Sequence, residues 1–579
     1  MTMATPEHQS LAMPKTGTTL SKRACDSCRQ RKVKCDTEQP CANCRISHLD
    51  CTFHTIPRKR GPKTPREKAL ELPATRPRIS NSPERSSESD NTQRTSLVAS
   101  FKPFSSEVPV YSLLNPSASA SEIRGNLVSS VAKGLPTFTI RQVVDECISL
   151  YVLHTFPVCP ICHIPAVRAM AATYFPLHGS QALSDDAYDI GADKDRVAIM
   201  RPFALLTALC ATVASMYPES LLAYRDVIAT PFLQASRSML KVYEDYDVQH
   251  PDWTSLAIRL LQSAALQHSA GKTPLAWHVL SQAGLLAQNL RLHSEQSLSK
   301  YDLLEATLLR NNFWMLYVCD KAAISLANRP VTLHEPLFDS KMDLLERGPI
   351  RMPLFDPEMR HVPESFEDKL MEGFHLIQRF WTLAGRLLLA IRSRGQKVTL
   401  DYPNNDTTER TDRETMMKMY IDVIGFLDGL PNWLESPDAV ELEPQYDVAF
   451  QRSCFWTQKS RLLNMFHGVR IMVLRQCIEY GLTTLIGLSD DPLTLAMEQT
   501  NIARDVVQSL KSIPFQYIQT NGEPDIELMR VVGSILLELS QNVENDVIRG
   551  RARSFLSSLL DILARLDSKA SEDFLNQQG

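Results

Sequence analysis

Six of the chain's thirteen cysteines fall within 27 residues, at Cys25, Cys28, Cys35, Cys41, Cys44 and Cys51. Their spacing, C-x2-C-x6-C-x5-C-x2-C-x6-C, is one C-x2-C-x6-C unit written twice. At this chain's cysteine frequency, six such positions would coincide with a probability on the order of 10⁻¹⁰ per start site, so the pattern is not chance. The segment is too small to build its own core, and whatever joins the sulfurs must supply its fold. Two tetrahedral zinc ions need eight bonds, and six sulfurs supply eight when two of them bridge both metals. A C-x2-C step lets the first turn of a helix place both sulfurs on one ion, and metal binding then provides most of the folding free energy. The rival is a disulfide-stapled mini-domain, which belongs to oxidising compartments. Met1 to Leu20 contain no apolar run of the length a secretory signal needs, about 7–15 residues. That predicts a reducing compartment and free thiols. The other seven cysteines (Cys147, Cys159, Cys162, Cys210, Cys319, Cys454, Cys477) are scattered through apolar segments and read as small buried hydrophobes.

Charge separates the two ends of the chain. Residues 1–70 hold fourteen Lys/Arg against six Asp/Glu, whereas the remainder holds 48 against 60, so an overall net charge of −4 hides a basic N-terminal segment on an acidic body. Such asymmetry points to nucleic acid. Between Cys28 and Cys35, four of six positions are basic: Arg29, Arg31, Lys32 and Lys34. At helical spacing they form a cationic rim beside the metals, suited to phosphates and guanine edges.

The string Ala24-Cys25-Asp26-Ser27-Cys28-Arg29-Gln30-Arg31-Lys32-Val33-Lys34-Cys35-Asp36, with Pro40-Cys41-Ala42-Asn43-Cys44, resembles the binuclear zinc-cluster domain of fungal transcription factors. The resemblance implies two zinc ions, with Cys25 and Cys41 as the bridging ligands. It also implies that Arg31 and Lys32 read a CGG-type triplet of double-stranded DNA in the major groove. Pro57-Arg58-Lys59-Arg60-Gly61-Pro62-Lys63 resembles the basic linker that follows the cluster in yeast maltose-activator-like regulators. Its expected jobs are phosphate contact, through Arg58, Lys59, Arg60 and Lys63, and nuclear import.

Residues 71–120, with twelve Ser, six Pro and hardly any apolar periodicity, read as a tether. Many relatives dimerise through a coiled coil at this point. Here no leucine follows Leu70 and Leu72 until Leu97, so no heptad repeat exists, leaving monomeric binding or dimerisation through the body. From about residue 135 the pattern turns helical. Ala276, Leu280, Ala283, Ala287 and Leu290 mark one stripe, and Leu309, Phe313, Leu316 and Tyr317 another. Breaks fall at Pro330–Pro363, Pro403–Thr411 and Pro431–Pro444. The expected fold is all-α: a disordered N-terminus (1–20), the zinc cluster (21–57), a basic then Ser/Pro-rich linker (58–130), a body of a dozen or more helices (135–545), and a C-terminal amphipathic helix and tail (546–579). The longest apolar stretch, Phe203 to Met216, is interrupted by Thr207, Thr212 and Ser215 and is too short to span a bilayer, so it reads as a buried helix.

Two stretches of the body resemble the helical middle homology region that accompanies the cluster in these fungal factors. One runs from Leu275-Ala276-Trp277 to Leu290-Arg291-Leu292-His293, the other from Arg310 to Asn328-Arg329-Pro330. Asn311 and Asn312 stand where the family commonly has arginines, and Asn328 where it has glycine. The resemblance implies a domain that controls activity, sometimes in response to small molecules.

Enzyme motifs fail on inspection. Gly271-Lys272-Thr273 ends like a phosphate-binding loop, but Leu266 occupies the required first glycine. Cys159-Pro160-Ile161-Cys162-His163 matches a haem-attachment string in a chain without the export context, and reads as core or loop packing. His334-Glu335 is followed by Pro336 and no second histidine, and no G-x-S-x-G elbow occurs. In the C-terminal segment Phe555, Leu556, Leu559, Leu560, Leu563 and Leu566 form an amphipathic helix. It is expected to pack on the body rather than to recruit coactivators. The reading is a nuclear, sequence-specific DNA-binding regulator of RNA polymerase II transcription, an activator of secondary-metabolite or carbohydrate-use genes, with coactivators as further partners. The alternative is a helical tethering protein whose zinc module is merely structural.

Overall fold

The computed structural model describes residues 24–30, 35–36, 40–41, 44–45, 50–52, 119–177, 192–270, 274–325, 331–350, 352–355, 364–399, 406–442, 444–445 and 447–566. The chain divides into two compact units, Met1–Pro103 and Phe104–Gly579. Among the described residues the first unit contains a short helix, α1 (Asp26–Gln30), and a second helical segment at Cys44 and Arg45, and the second unit is helical with no strand.

The second unit opens with α2 (Ala120–Gly134), α3 (Ile140–Leu150), a π-turn at Tyr151–Thr155, α4 (Ile164–Tyr174), α5 (Asp193–Met216), α6 (Arg225–Val242) and α7 (Glu244–Gln249). It continues with α8 (Trp253–Ala270), α9 (Pro274–Asn289), α10 (Leu303–Ala322), α11 (Glu364–Thr399), α12 (Asp406–Ile424) and α13 (Asn432–Glu435). The last elements are α14 (Val448–Tyr480), α15 (Pro492–Ser512), α16 (Phe515–Asn521), α17 (Glu523–Asn542) and α18 (Asp546–Leu563).

Local chemistry sets many of these boundaries. Ser119 with Glu122 and Thr139 with Gln142 form capping boxes at α2 and α3. Asp302, Asp447, Asp491 and Asn545 cap α10, α14, α15 and α18 with their side-chain oxygens. Gly481 ends α14 in the left-handed conformation at φ 65°. The expected tether ran to residue 130, but helix already begins at Ala120. Ile123, Leu127 and Val131 are buried at helical spacing there, a signal masked by the Ser-rich composition around it.

Three apolar cores organise the body. The first gathers α2 to α10 with the start of α11. The second packs α15 to α18 against Trp456, Ile471 and Leu474 of α14. The third joins the end of α10, the middle of α11, α12 and the Leu462–Cys477 part of α14. Helix α14, 33 residues long, therefore spans about 50 Å and contributes to all three cores. That is why it shows no single apolar stripe. Helix α5 is long and apolar enough by composition to cross a bilayer, with mean hydropathy 1.8, but 78% of that stretch is buried inside the body. The stripe residues Ala276, Ala283 and Ala287, and Leu309, Phe313, Leu316 and Tyr317, are buried as their spacing implied. Leu556, Leu559, Leu563 and Leu566 of the C-terminal segment are buried in the second core.

Asn311 and Asn312 turn their amides inward onto the Cys159–Cys162 loop. Their Nδ2 groups donate to the carbonyls of Pro160 and Ile161 at 2.9 and 3.1 Å. This loop is packing structure, and Cys162 is a buried free thiol. Gly271–Thr273 lie outside the described residues.

Candidate metal centre

The duplicated spacing becomes a duplicated geometry. Cys25, Cys28 and Cys35 repeat as Cys41, Cys44 and Cys51 at a constant offset of sixteen residues. The backbone N–H of Arg29 donates to the Cys25 carbonyl and that of Arg45 to the Cys41 carbonyl, both at 2.9 Å, so each unit opens with one helical turn. The N–H of Cys28 donates to Cys25 Sγ, and that of Cys44 to Cys41 Sγ, each at 3.4 Å. The N–H of Cys25 meets Cys35 Sγ at 3.4 Å, and that of Cys41 meets Cys51 Sγ at 3.2 Å. Helix α1 supplies the first turn, and Cys25, Cys28, Cys41 and Cys44 are fully buried.

The sulfurs form two overlapping groups of four, Cys25–Cys28–Cys35–Cys41 and Cys25–Cys41–Cys44–Cys51, each within 4.8 Å of one another. Only Cys25 and Cys41 belong to both. The sulfur–sulfur separations are 3.7 Å for Cys25–Cys41 and 3.5 Å for Cys25–Cys44 and Cys28–Cys41. With Zn–S bonds of about 2.3 Å a tetrahedron has edges of about 3.8 Å, whereas a disulfide holds its sulfurs about 2.05 Å apart. All six are free cysteines, and their spacing fits two tetrahedra sharing the Cys25–Cys41 edge. Bound zinc would act here as a structural charge that fixes the backbone of both units.

The thiols are not equivalent. The N–H of Cys28 holds the Cys25 thiol below its usual range, and the N–H of Cys44 does the same for Cys41. Burial pushes Cys28 up, and Cys44 up to about 12.

Four residues that cysteine spacing did not single out close the unit. The Asp26 N–H donates to the Thr52 carbonyl at 2.7 Å, the Thr52 hydroxyl to Asp26 Oδ2 at 3.3 Å, and the Ser27 hydroxyl to the Asp50 carbonyl at 2.6 Å. The start and end of the cluster are thereby tied together. Of the expected DNA contacts, Arg29 is described, exposed in the last turn of α1. Arg31, Lys32, Lys34, Arg58, Lys59, Arg60 and Lys63 lie outside the described residues. Arg45, the counterpart of Arg29 at the sixteen-residue offset, is also exposed. That offset was the signal that would have found it.

Residues 23–61 match the fungal Zn(2)-Cys(6) binuclear cluster domain, a domain that holds two zinc ions. Over 58 residues the chain is 50% identical to a maltose fermentation regulatory protein of Saccharomyces cerevisiae, a stretch covering 10% of this chain and 12% of that one. It is 48% identical over 48 residues to an abscisic acid cluster transcription factor of Leptosphaeria maculans, covering 8% of each chain. It is 49% identical over 51 residues to the quinic acid utilization activator of Emericella nidulans, covering 9% and 6%. The chain thus spans about an eighth or less of the length of these relatives.

Proposed function

We propose that this chain, which carries a fungal binuclear zinc-cluster domain at residues 23–61, is a sequence-specific DNA-binding regulator of RNA polymerase II transcription and not an enzyme. The observation that carries the reading is the pair of four-sulfur groups sharing Cys25 and Cys41 next to a strongly basic run. Two zinc ions held by Cys25, Cys28, Cys35, Cys41, Cys44 and Cys51 fix α1 and its counterpart turn. Arg31 and Lys32 read the base edges of a CGG-type triplet in the major groove. Arg29, Lys34, Arg58, Lys59, Arg60 and Lys63, joined by Arg45, neutralise phosphates. This division follows the chemistry of DNA, in which phosphate contacts position a protein and base-edge contacts specify the sequence.

The helical body from Ala120 to Leu566 serves as the regulatory region, and the protein works in the nucleus with coactivators as partners. No heptad seam supports a coiled-coil dimer. The printed names of the relatives, covering maltose fermentation, quinic acid use and an abscisic acid cluster, support a metabolic gene set, either catabolic or biosynthetic.

The deciding experiment is binding of the full-length protein to a CGG-containing duplex across a salt series. Affinity should fall steeply as salt rises, because phosphate contacts release counterions. Cys28→Ala should abolish binding. Lys32→Ala should relax base preference at the triplet by ~1–3 kcal/mol. Salt-independent binding, or full affinity in Cys28→Ala, would leave the cluster a structural module on a tethering protein. Genome-wide occupancy then separates the gene sets: a contiguous block of genes marks a biosynthetic cluster, scattered hydrolases and transporters a catabolic role.

A further inference from the structure

The two halves of the cluster are related by an internal two-fold. Exchanging Cys25 with Cys41, Cys28 with Cys44 and Cys35 with Cys51 carries each four-sulfur group onto the other. Distances obey the same exchange, since Cys25–Cys44 and Cys28–Cys41 are both 3.5 Å. The backbone obeys it as well: the N–H to carbonyl bonds of Arg29 and Arg45 are both 2.9 Å, and the N–H to sulfur contacts of Cys28 and Cys44 both 3.4 Å. An operation that swaps two units of L-residues and restores them when repeated is a two-fold rotation. Its axis crosses the shared Cys25–Cys41 edge.

Charge follows this symmetry at one position. The sixteen-residue offset carries Arg31, Lys32 and Lys34 to Ser47, His48 and Asp50, whereas it carries Arg29 to Arg45. Both arginines directly follow the second cysteine of a C-x2-C turn, and both are exposed. Neither guanidinium has a hydrogen-bond or ion-pair partner among the described residues. The two-fold therefore sets one unpaired positive charge on either side of the Cys25–Cys41 edge, while the remaining cations of the basic run belong to the first unit alone.

We propose that Arg29 and Arg45 clamp the two strands of the duplex, Arg29 on a phosphate of one strand and Arg45 on a phosphate of the other. The clamp rests on DNA binding by the cluster, the reading given above. The strands of a duplex are antiparallel, so a two-fold axis across it relates a phosphate of one strand to a phosphate of the other. A protein two-fold laid along that axis meets both backbones with equivalent groups, the way a symmetric dimer meets a palindromic site. Here one chain supplies both groups. A guanidinium presents a planar fork of donors that fits a phosphate bidentately. Base reading stays with the first unit, which alone carries Arg31 and Lys32, and Arg45 fixes register without specifying sequence.

The test is fluorescence anisotropy of the zinc-loaded full-length protein on a CGG-containing duplex across a salt series, with single phosphates of either strand replaced by methylphosphonate. Arg45→Ala should weaken binding about 5- to 10-fold near 0.1 M salt and lower the slope of log affinity against log salt by about one. The loss should be the same on CGG and on altered triplets, and Arg45→Lys should recover most of the slope. One methylphosphonate should cost the wild type affinity yet cost Arg45→Ala nothing, and the position that behaves so for Arg29→Ala should lie on the opposite strand. Zinc content is measured for each variant. Should one lose its metal, the methylphosphonate scan of the wild type still reads the clamp, as sensitive phosphates on both strands. An unchanged slope in Arg45→Ala, a changed base preference in it, or sensitive phosphates confined to one strand would overturn the clamp and leave DNA reading intact. Wild-type binding indifferent to salt would overturn both.

Discussion

The zinc cluster and the helical body solve the folding problem in opposite ways. In the cluster the groups that hold the chain together are also the groups that make the site: six sulfurs, of which Cys25 and Cys41 belong to both metal-binding groups. In the body, folding rests on three apolar cores built from hydrophobic side chains. A region of the first kind cannot lose its ligand and keep its shape. A region of the second kind can lose a functional group and stay folded.

The largest expected effect breaks that comparison cleanly. Removing zinc from the full-length protein with a chelator should unfold the cluster outright and abolish DNA binding, because metal binding supplies most of its folding free energy. The helical signal and melting midpoint of the body should not change. Circular dichroism during chelation, read beside binding to a CGG-containing duplex, checks both halves. A body that melts together with the cluster would mean that the two regions do not fold independently.

The reciprocal test sits in α5. Phe203 is fully buried and packs against the rings of Tyr174 and Phe175 at 5.7 and 6.3 Å. Phe203→Ala should destabilise the body by about 3–5 kcal/mol, seen as a lower denaturant midpoint. Zinc content should stay the same. Loss of zinc in this variant would join two regions that the apolar cores keep separate.

The same contrast explains what could be read from the chain. The cluster was legible to the residue because metal chemistry constrains residue type and spacing together. The sixteen-residue offset even carries down to matched N–H···S contacts at Cys28 and Cys44. The Asp26–Thr52 and Ser27–Asp50 ties were not legible, since hydroxyls and carbonyls at such separations carry no periodic signal. In the body, helix type and burial followed from stripes such as Leu309–Phe313–Leu316, whereas α2 was hidden by its composition.

The smallest expected effect comes from a buried carboxyl of the body. Asp525 is buried, accepts a hydrogen bond from Asn521 Nδ2 at 3.0 Å and another from Asn464, and burial raises its pKa to about 7. The Arg461 charge works in the opposite direction without cancelling this. An unfolded aspartate titrates near 3.9, so between about pH 4 and 7 the folded chain holds a proton that the unfolded chain has released. Stability therefore falls as pH rises through that window and remains lower above it. Asp525→Asn removes the titration while keeping an amide oxygen for one of the two donors. The wild type should lose about 2 kcal/mol relative to this variant between pH 5 and pH 8, measured as denaturant midpoints of the body at the two values. Parallel pH profiles would mean that Asp525 ionises as freely inside the body as outside it, through direct pairing with Arg461.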